Sequence, residues 1–434
     1  MKALSGLTCL IQKGGLWLFF GHGFTLLGQF ALIKYIAAFG SKAIFGQFAI
    51  TMLVVAGFAT LFFGPLIQWV LRHYQEFFEH NREQEYYLVV FYVLLAFFAL
   101  LLLLSFVVVP VSYLEDYGIG KSAQILTVCL AFLVCVNELI SSIFNASGHI
   151  RYAAVFFMAG TWSRVAGAAI VLGFLSGSYE LMLVSISVLQ LTLALLQLFF
   201  LLRIRKGVIS LRLENKARIA VHFRRMKSYL WPFLIWSIPG YAALMGDRWI
   251  LTSYLDVEAL AEYAAMAFVT IGVSNALGVA FNKAAGPIIF RVSGGGANNQ
   301  RRSEAKGIIN NLTLVLAAGY VAVTVFYYLW PNFFITMFTS SGYVKYAQYL
   351  WVMMLASVLF NLSQFLVTHG LVDKSPRIYL MPKVIHGVVV LACLLWFVPR
   401  YTVLGAVMAL LIGNVLQLIL VLYVNWKQDV HRVS

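Results

Sequence analysis

Apolar residues run along this chain in long, nearly unbroken stretches separated by short polar breaks. A helix needs roughly 20 mostly apolar residues to cross a hydrocarbon core of ~30 Å, and the runs here have that length. They are continuous and do not alternate in and out, which points to helices and away from a barrel. The pattern predicts twelve spans, at residues 14–36, 44–71, 86–110, 121–146, 153–175, 180–202, 229–254, 259–290, 307–330, 347–370, 378–398 and 402–426. An even number of crossings returns both termini to one side of the membrane.

The side follows from the Lys and Arg residues in the breaks. One alternate set of breaks and ends carries 23 of them: Lys2 and Lys13; Arg72 and Arg82; Arg151; nine from Arg203 to Lys227; Arg291, Arg301, Arg302 and Lys306; Lys374, Arg377 and Lys383; Lys427 and Arg432. The other set holds 5, namely Lys34, Lys42, Lys121, Lys345 and Arg400. The asymmetry puts both termini in the cytoplasm.

Composition strengthens this reading. Hydrophobic residues make up 62% of the 434 and charged ones 11%, against about half and a quarter in soluble domains. The net charge of +15 is explained by cytoplasmic loops lying next to anionic lipid, so no nucleic-acid partner is implied. Cys9, Cys129, Cys135 and Cys393 show neither CxxC nor Cys/His spacing and indicate neither a disulfide framework nor a metal site. The first apolar run carries glycines, His22 and Gln29 over about 23 residues, so a retained span is expected rather than a cleaved signal peptide.

The long basic break divides six spans from six, giving an N-lobe 1–203, a basic cytoplasmic linker 204–227 and a C-lobe 228–434. Parts of the first lobe recur in the second. The stretch from Lys34 to Ala49 between spans 1 and 2 has a counterpart about 215 residues on, from Thr252 to Ala264. Asn145-Ala146-Ser147-Gly148-His149-Ile150-Arg151 has one about 222 residues on, from Thr368 to Lys374. Six spans bring the chain back to its starting side, so these are parallel repeats, an arrangement that encloses a central cavity between the halves. The fold class expected is all-α integral membrane, about twelve helices in two pseudo-symmetric six-helix lobes around a central cavity.

Four stretches together resemble a known family. They are Phe39-Gly40-Ser41-Lys42-Ala43-Ile44-Phe45-Gly46; Gly246-Asp247-Arg248-Trp249-Ile250-Leu251 followed by Glu262-Tyr263-Ala264; the Gly370-Leu371 turn; and Val398-Pro399-Arg400-Tyr401-Thr402-Val403-Leu404-Gly405-Ala406. In order and spacing they resemble the polysaccharide exporters of the multidrug/oligosaccharidyl-lipid/polysaccharide (MOP, MATE-like) superfamily, in particular the O-antigen (Wzx-type) flippases. Glu262 departs from the glycine the family more often has there. Twelve spans argue against the fourteen-span peptidoglycan-precursor flippases. The resemblance implies a polyprenyl-diphosphate-linked oligosaccharide repeat unit, O-antigen or another surface polysaccharide, carried from the inner to the outer leaflet of the bacterial cytoplasmic membrane. It implies membrane lipids as surroundings, and a polysaccharide polymerase and chain-length regulator as candidate partner proteins. It implies no cofactor, no metal and no catalytic residue.

The residues are read for the same task. A charge inside a span costs roughly 2.5–3.5 kcal/mol on insertion scales and is a functional hypothesis by default. Arg164 lies about eleven residues from each end of span 5, near the membrane centre; it either faces a cavity or pairs with Glu138, which is roughly 9 Å away in depth. Arg248, about seven residues inside span 7, either binds substrate or reaches outer headgroups. Lys283, with Asn275 and Asn282, either lines a substrate path or extends to the cytoplasm. Asp247 and Glu138 are candidate ion-coupling acids. His22 and Gln29 share a helix face with five glycines nearby, where close packing is the plainer reading. Other polar span residues, among them Gln68, Gln190, Gln197, Asn361 and Asn414, more often tie helices together than touch substrate.

There is no GxxxxGK[ST] loop and no soluble stretch long enough for a nucleotide-binding domain, so energy must come from the membrane potential or an ion. A drug/cation antiporter of the same superfamily is one alternative. A membrane enzyme of polysaccharide assembly is another, but no large outer loop supports a polymerase, and the Glu76, Glu79, Glu83 and Glu85 cluster reads as a solvated helix end rather than a metal site.

Overall fold

The computed structural model describes residues 16–433 other than 81, 108–114, 116, 176, 205–215, 294–298 and 373–375. Among these residues regular structure is helical throughout. The first seven helices are α1 Leu16–Phe39, α2 Lys42–Phe58, α3 Gly64–Glu79, α4 Glu83–Val107, α5 Lys121–Ala146, α6 Ile150–Ala169 and α7 Tyr179–Ile204. Helix α8, Lys216–Leu251, leads to α9 Val257–Ala267, α10 Val273–Ser293, α11 Asn299–Leu329, α12 Pro331–Phe338, α13 Leu350–Leu366, α14 Thr368–Val372 and α15 Leu380–Val433. Wide π turns join α2 to α3 at Ala59–Phe63 and α9 to α10 at Phe268–Gly272, and one ends α6 at Ile170–Phe174.

Eight helical stretches among the described residues are long and apolar enough to cross a membrane. One of them, Arg377–Gln428, is 52 residues long and holds two crossings, because α15 breaks at Thr402 (φ 47°, ψ −117°). With α1, α4 and α8 this makes about twelve, the number that the hydropathy pattern predicts. Gly405 is required at that break: a Cβ there would lie 2.3 Å from the Phe397 carbonyl oxygen.

Burial is arranged as a bilayer demands. On α7, Leu191, Leu195 and Phe199 are 47–59% exposed, whereas Gln190 and Gln197 are at 1% and 0%. An apolar outer face meets lipid without penalty, and polar groups turn inward, where Gln190 finds partners and the Gln197 side chain is buried with none among the described residues. The protein is a multi-pass membrane protein.

The chain separates into two compact units, Met1–Ser237 and Ile238–Ser434. The division falls inside α8 rather than in a linker ending at 227. Residues from Lys216 onward are helical, and Met226 and Leu230 pack into the aromatic core of the first unit with Trp69, Tyr86 and Phe144. The part of the expected linker at 205–215 lies outside the described residues.

In the first unit α1 packs on α6, and α5 is surrounded by α2, α6 and α7. In the second, α13 packs against α10, α11 and α15. The repeat seen in sequence has a structural counterpart: Ser41 caps α2 by accepting from the Ile44 N–H at 3.2 Å, and Asp256 caps α9 by accepting from the Ala259 N–H at 2.7 Å. Each satisfies a backbone donor at a helix start, and each helix then runs into a π turn.

Candidate functional site

The polar residues of α5 recur at helical spacing: Asn137, Glu138, Ser141, Ser142 and Asn145. Asn137 donates to the Gln190 side-chain oxygen at 2.6 Å and to the Gln190 carbonyl at 3.1 Å, joining α5 to α7. Gln190 in turn donates to the Gly160 carbonyl at 2.7 Å and to Ser163 Oγ at 3.0 Å, joining α7 to α6. A buried amide chain of this kind holds three helices in one rotational setting, since slipping any of them leaves an unmatched polar group in hydrocarbon.

That frame positions the charges. Arg164 Nε donates to the Gly160 carbonyl and Nη2 to Thr161 Oγ1, both at 3.2 Å. A guanidinium has five donors, so these two bonds tie the group to its own helix and leave N–H groups for the cavity that Arg164 lines. Glu138 lines the same cavity, with Thr25, Gln29, Asn137, Ser141 and Gln190. Arg164 and Glu138 act on each other electrostatically, yet no ion pair closes between them. The cavity measures about 50 Å³, and one water needs about 10–15 Å³ on that scale, so a few fit. Asn137 Oδ1 and Ser141 Oγ are buried without a protein partner.

A larger cavity of about 190 Å³ adjoins it, sharing Ser141 and Phe157 as wall residues and continuing past Ser142 and Asn145 between α5, α6 and α1.

The second unit holds a neutral counterpart. Asn361 on α13 donates to Ser274 Oγ, Asn275 Oδ1 and the Ser357 carbonyl, each at 2.9 Å. Asn414 on α15 donates to the Ala356 carbonyl at 2.9 Å and shares a 2.8 Å hydrogen bond with His386. The His386 ring stacks on Phe360 with centroids 5.8 Å apart. Asn275, Ser357, Phe360 and Asn414 line a cavity of about 20 Å³, room for about one water.

The remaining candidates are placed as follows. Asp247 is 0% exposed and accepts from the Tyr263 hydroxyl at 2.5 Å, its other oxygen being buried without a partner. Arg248, one residue on and about 100° round the helix, is half-buried and donates to Met245 Sδ at 2.7 Å. Asn275 sits in the second unit's cavity, while Asn282, half-buried on the same α10, stands outside its walls. The Lys283 side chain lies outside the described residues, as does that of His22.

Arg164 and Glu138 stand out in the sequence and Gln190 ties helices together as expected there, whereas its partner Asn137 and the second unit's His386 are not singled out. One trace was present: Asn361, His386 and Asn414 follow Asn137, Arg164 and Gln190 at an offset of about 220 residues, the offset of the loop repeats. Among the described residues no cluster of three or more His, Cys, Asp or Glu has the arrangement to hold a metal.

The sequence matches no family model and no curated protein. The fold does match solved structures. An inward-facing multidrug resistance MATE family transporter of the MOP superfamily superposes with a TM-score of 0.72 at 14% identity, over 95% of this chain and 96% of that one. The lipid II flippase MurJ, in an inward closed conformation, gives 0.70 at 13% identity over 94% and 86%. A MOP superfamily transporter from Pyrococcus furiosus, described by the reverse polarity of its binding pocket, gives 0.64 at 13% over 96% and 95%. The chain has the fold of the MOP-superfamily transporters.

Proposed function

We propose that this chain is a flippase that moves a polyprenyl-diphosphate-linked oligosaccharide, the repeat unit of O-antigen or another surface polysaccharide, from the inner to the outer leaflet of the bacterial cytoplasmic membrane. The observation that carries the reading is Arg164: a guanidinium deep in a membrane-spanning unit, held by its own helix and open to a polar cavity. A diphosphate and its sugars need a wet, cationic place inside hydrocarbon, and no covalent chemistry.

In this reading the lobes alternate access, with Arg164, Arg248, Lys283, Asn275 and Asn282 meeting the headgroup while the lipid tail stays in the bilayer. Glu138 and Asp247 are the ion-coupling acids. Both termini are cytoplasmic in this reading, and a cytoplasmic side held negative drives an anionic headgroup outward by about 2.3 kcal/mol per charge per 100 mV. The carboxylate of Glu138 in the Arg164 cavity favours a second reading, a drug/cation antiporter.

The test is complementation of a bacterium lacking its O-antigen-type flippase, at matched membrane expression, scored for surface glycan and in parallel for drug resistance. Glycan restored by the wild type, lost in Arg164→Ala and Arg248→Ala and partly regained with Lys supports the flippase. Full glycan in the alanine variants removes these arginines from the path. Drug resistance without glycan selects the antiporter.

A further inference from the structure

The two cavities of the first unit run end to end along one face of α5. Glu138 and Arg164 stand at the inner end, Asn145 at the outer, with Ser141 and Ser142 between. Spacings of three or four residues put Glu138, Ser141, Ser142 and Asn145 on one helical stripe. The stripe is polar where a lipid-facing or packing face would be apolar. Ser141, 4% exposed, has a hydroxyl with no protein partner, and so does the Asn137 side-chain oxygen at the inner end. Buried polar atoms in a cavity of adequate size are the places that ordered water fills. At about 190 Å³ the outer cavity has room for a chain of waters.

We propose that this stripe is a water-filled half-channel through which protons reach Glu138 from the side of the membrane that holds Asn145. The proposal rests on the reading of Glu138 as an ion-coupling acid and adds its route, direction and ion. The choice of the proton over a metal cation comes from Arg164. A resident Na⁺ would sit beside the guanidinium and be repelled, whereas a proton is taken up as a neutral carboxyl. Beside Arg164 on α6, the titratable group facing Glu138 is Cys135 on α5 itself. Helices α1 and α7 present Thr25, Gln29 and Gln190 to the cavity, and the His22 side chain on α1 lies outside the described residues. Protonation of Glu138 removes the negative charge that acts on Arg164 across the cavity, leaving the guanidinium to an anionic cargo; deprotonation reverses the preference. The Glu138 carboxylate and the cargo thus compete for one arginine, and proton and cargo favour each other's binding.

The test uses the full chain in proteoliposomes of known orientation. A pH-sensitive dye follows proton uptake under an imposed potential in wild type, Glu138→Gln and Ser142→Leu, whose larger side chain fills the outer cavity. In parallel, Ser142→Cys and the outward-facing control Val155→Cys, in a chain whose four native cysteines are serine, are treated with a membrane-impermeant methanethiosulfonate from either side. The expected result is a proton flux that falls in both Glu138→Gln and Ser142→Leu. A cysteine at 142 should react roughly tenfold faster than the control, from the Asn145 side alone, since thiols in apolar surroundings ionise poorly. Full flux in a folded Ser142→Leu, or labelling no faster than the control, overturns the route; if Glu138→Gln is then still inert, the coupling role of Glu138 survives. Flux unchanged in both variants overturns route and coupling role together.

Discussion

The two units place closely related polar frames at equivalent positions and fill them differently. In the first, Asn137 and Gln190 frame Glu138 and Arg164. About 220 residues later, Asn361 and Asn414 recur with His386 where the first unit has Arg164 and Leu362 where it has Glu138, so the second frame carries no opposite charges. The comparison separates two roles. The amides recur in both units, so they serve what both need, a fixed setting of helices with no water to lubricate a slip. The charges occur in one, so packing does not require them. Leu362 and His386 stand at the corresponding positions without the expense of a carboxylate and a guanidinium in hydrocarbon.

The largest effect expected from breaking this comparison is at Arg164. In Arg164→Ala the Glu138 carboxylate is left in its cavity without a counter-charge, which costs about 3 kcal/mol. His386→Ala removes one hydrogen bond and a stack, a loss of about 1–2 kcal/mol. Thermal unfolding of the purified variants in one detergent measures both, and equal losses would mean that the charges contribute no more than the stack. A smaller effect separates the repeated turns. Gly148 has a left-handed φ of 79° with open space around it, so Gly148→Ala carries only the conformational cost, about 1 kcal/mol. Its counterpart Gly370 is helical but has the Tyr379 ring 2.2 Å from where a Cβ would stand, so Gly370→Ala overpacks and costs about 2 kcal/mol. The same unfolding measurement would contradict this if the order reversed. The smallest stability change, within about 1.5 kcal/mol, is expected when Glu138→Leu and Arg164→His are combined to make the first unit resemble the second. The same protein should restore no surface glycan, and full restoration would show that the charges are dispensable for transport as well.

Much of the architecture was legible before any coordinate. The spans were, because each helix had to satisfy its own backbone with about 20 apolar residues. So was the repeat, since Ser41 and Asp256 cap helices by the same local hydrogen bond and local rules leave local traces. The end of the linker was not, because whether Lys216 to Lys227 forms helix or loop depends on packing: Met226 finds the aromatic core of the first unit, and a basic stretch read alone does not reveal that. At the site, Arg164 and Glu138 stood out as charges in apolar runs, but their sharing one cavity without closing an ion pair did not. Asn137 and Gln190, 53 residues apart in the chain, meet by hydrogen bonds that no spacing rule anticipates.

The sequence by itself determined that this protein lives in a membrane and about how many helices cross it, because the bilayer imposes one-dimensional requirements of length and apolarity that a chain must display in order. Only the tertiary structure decided which polar groups meet. A helix that is apolar nearly all round has no strong amphipathic face to fix its rotation, and one residue of rotation moves a side chain by about 100°. That rotation is set by the few polar side chains that must find each other across helices, and it is what brings Arg164 to the cavity of Glu138.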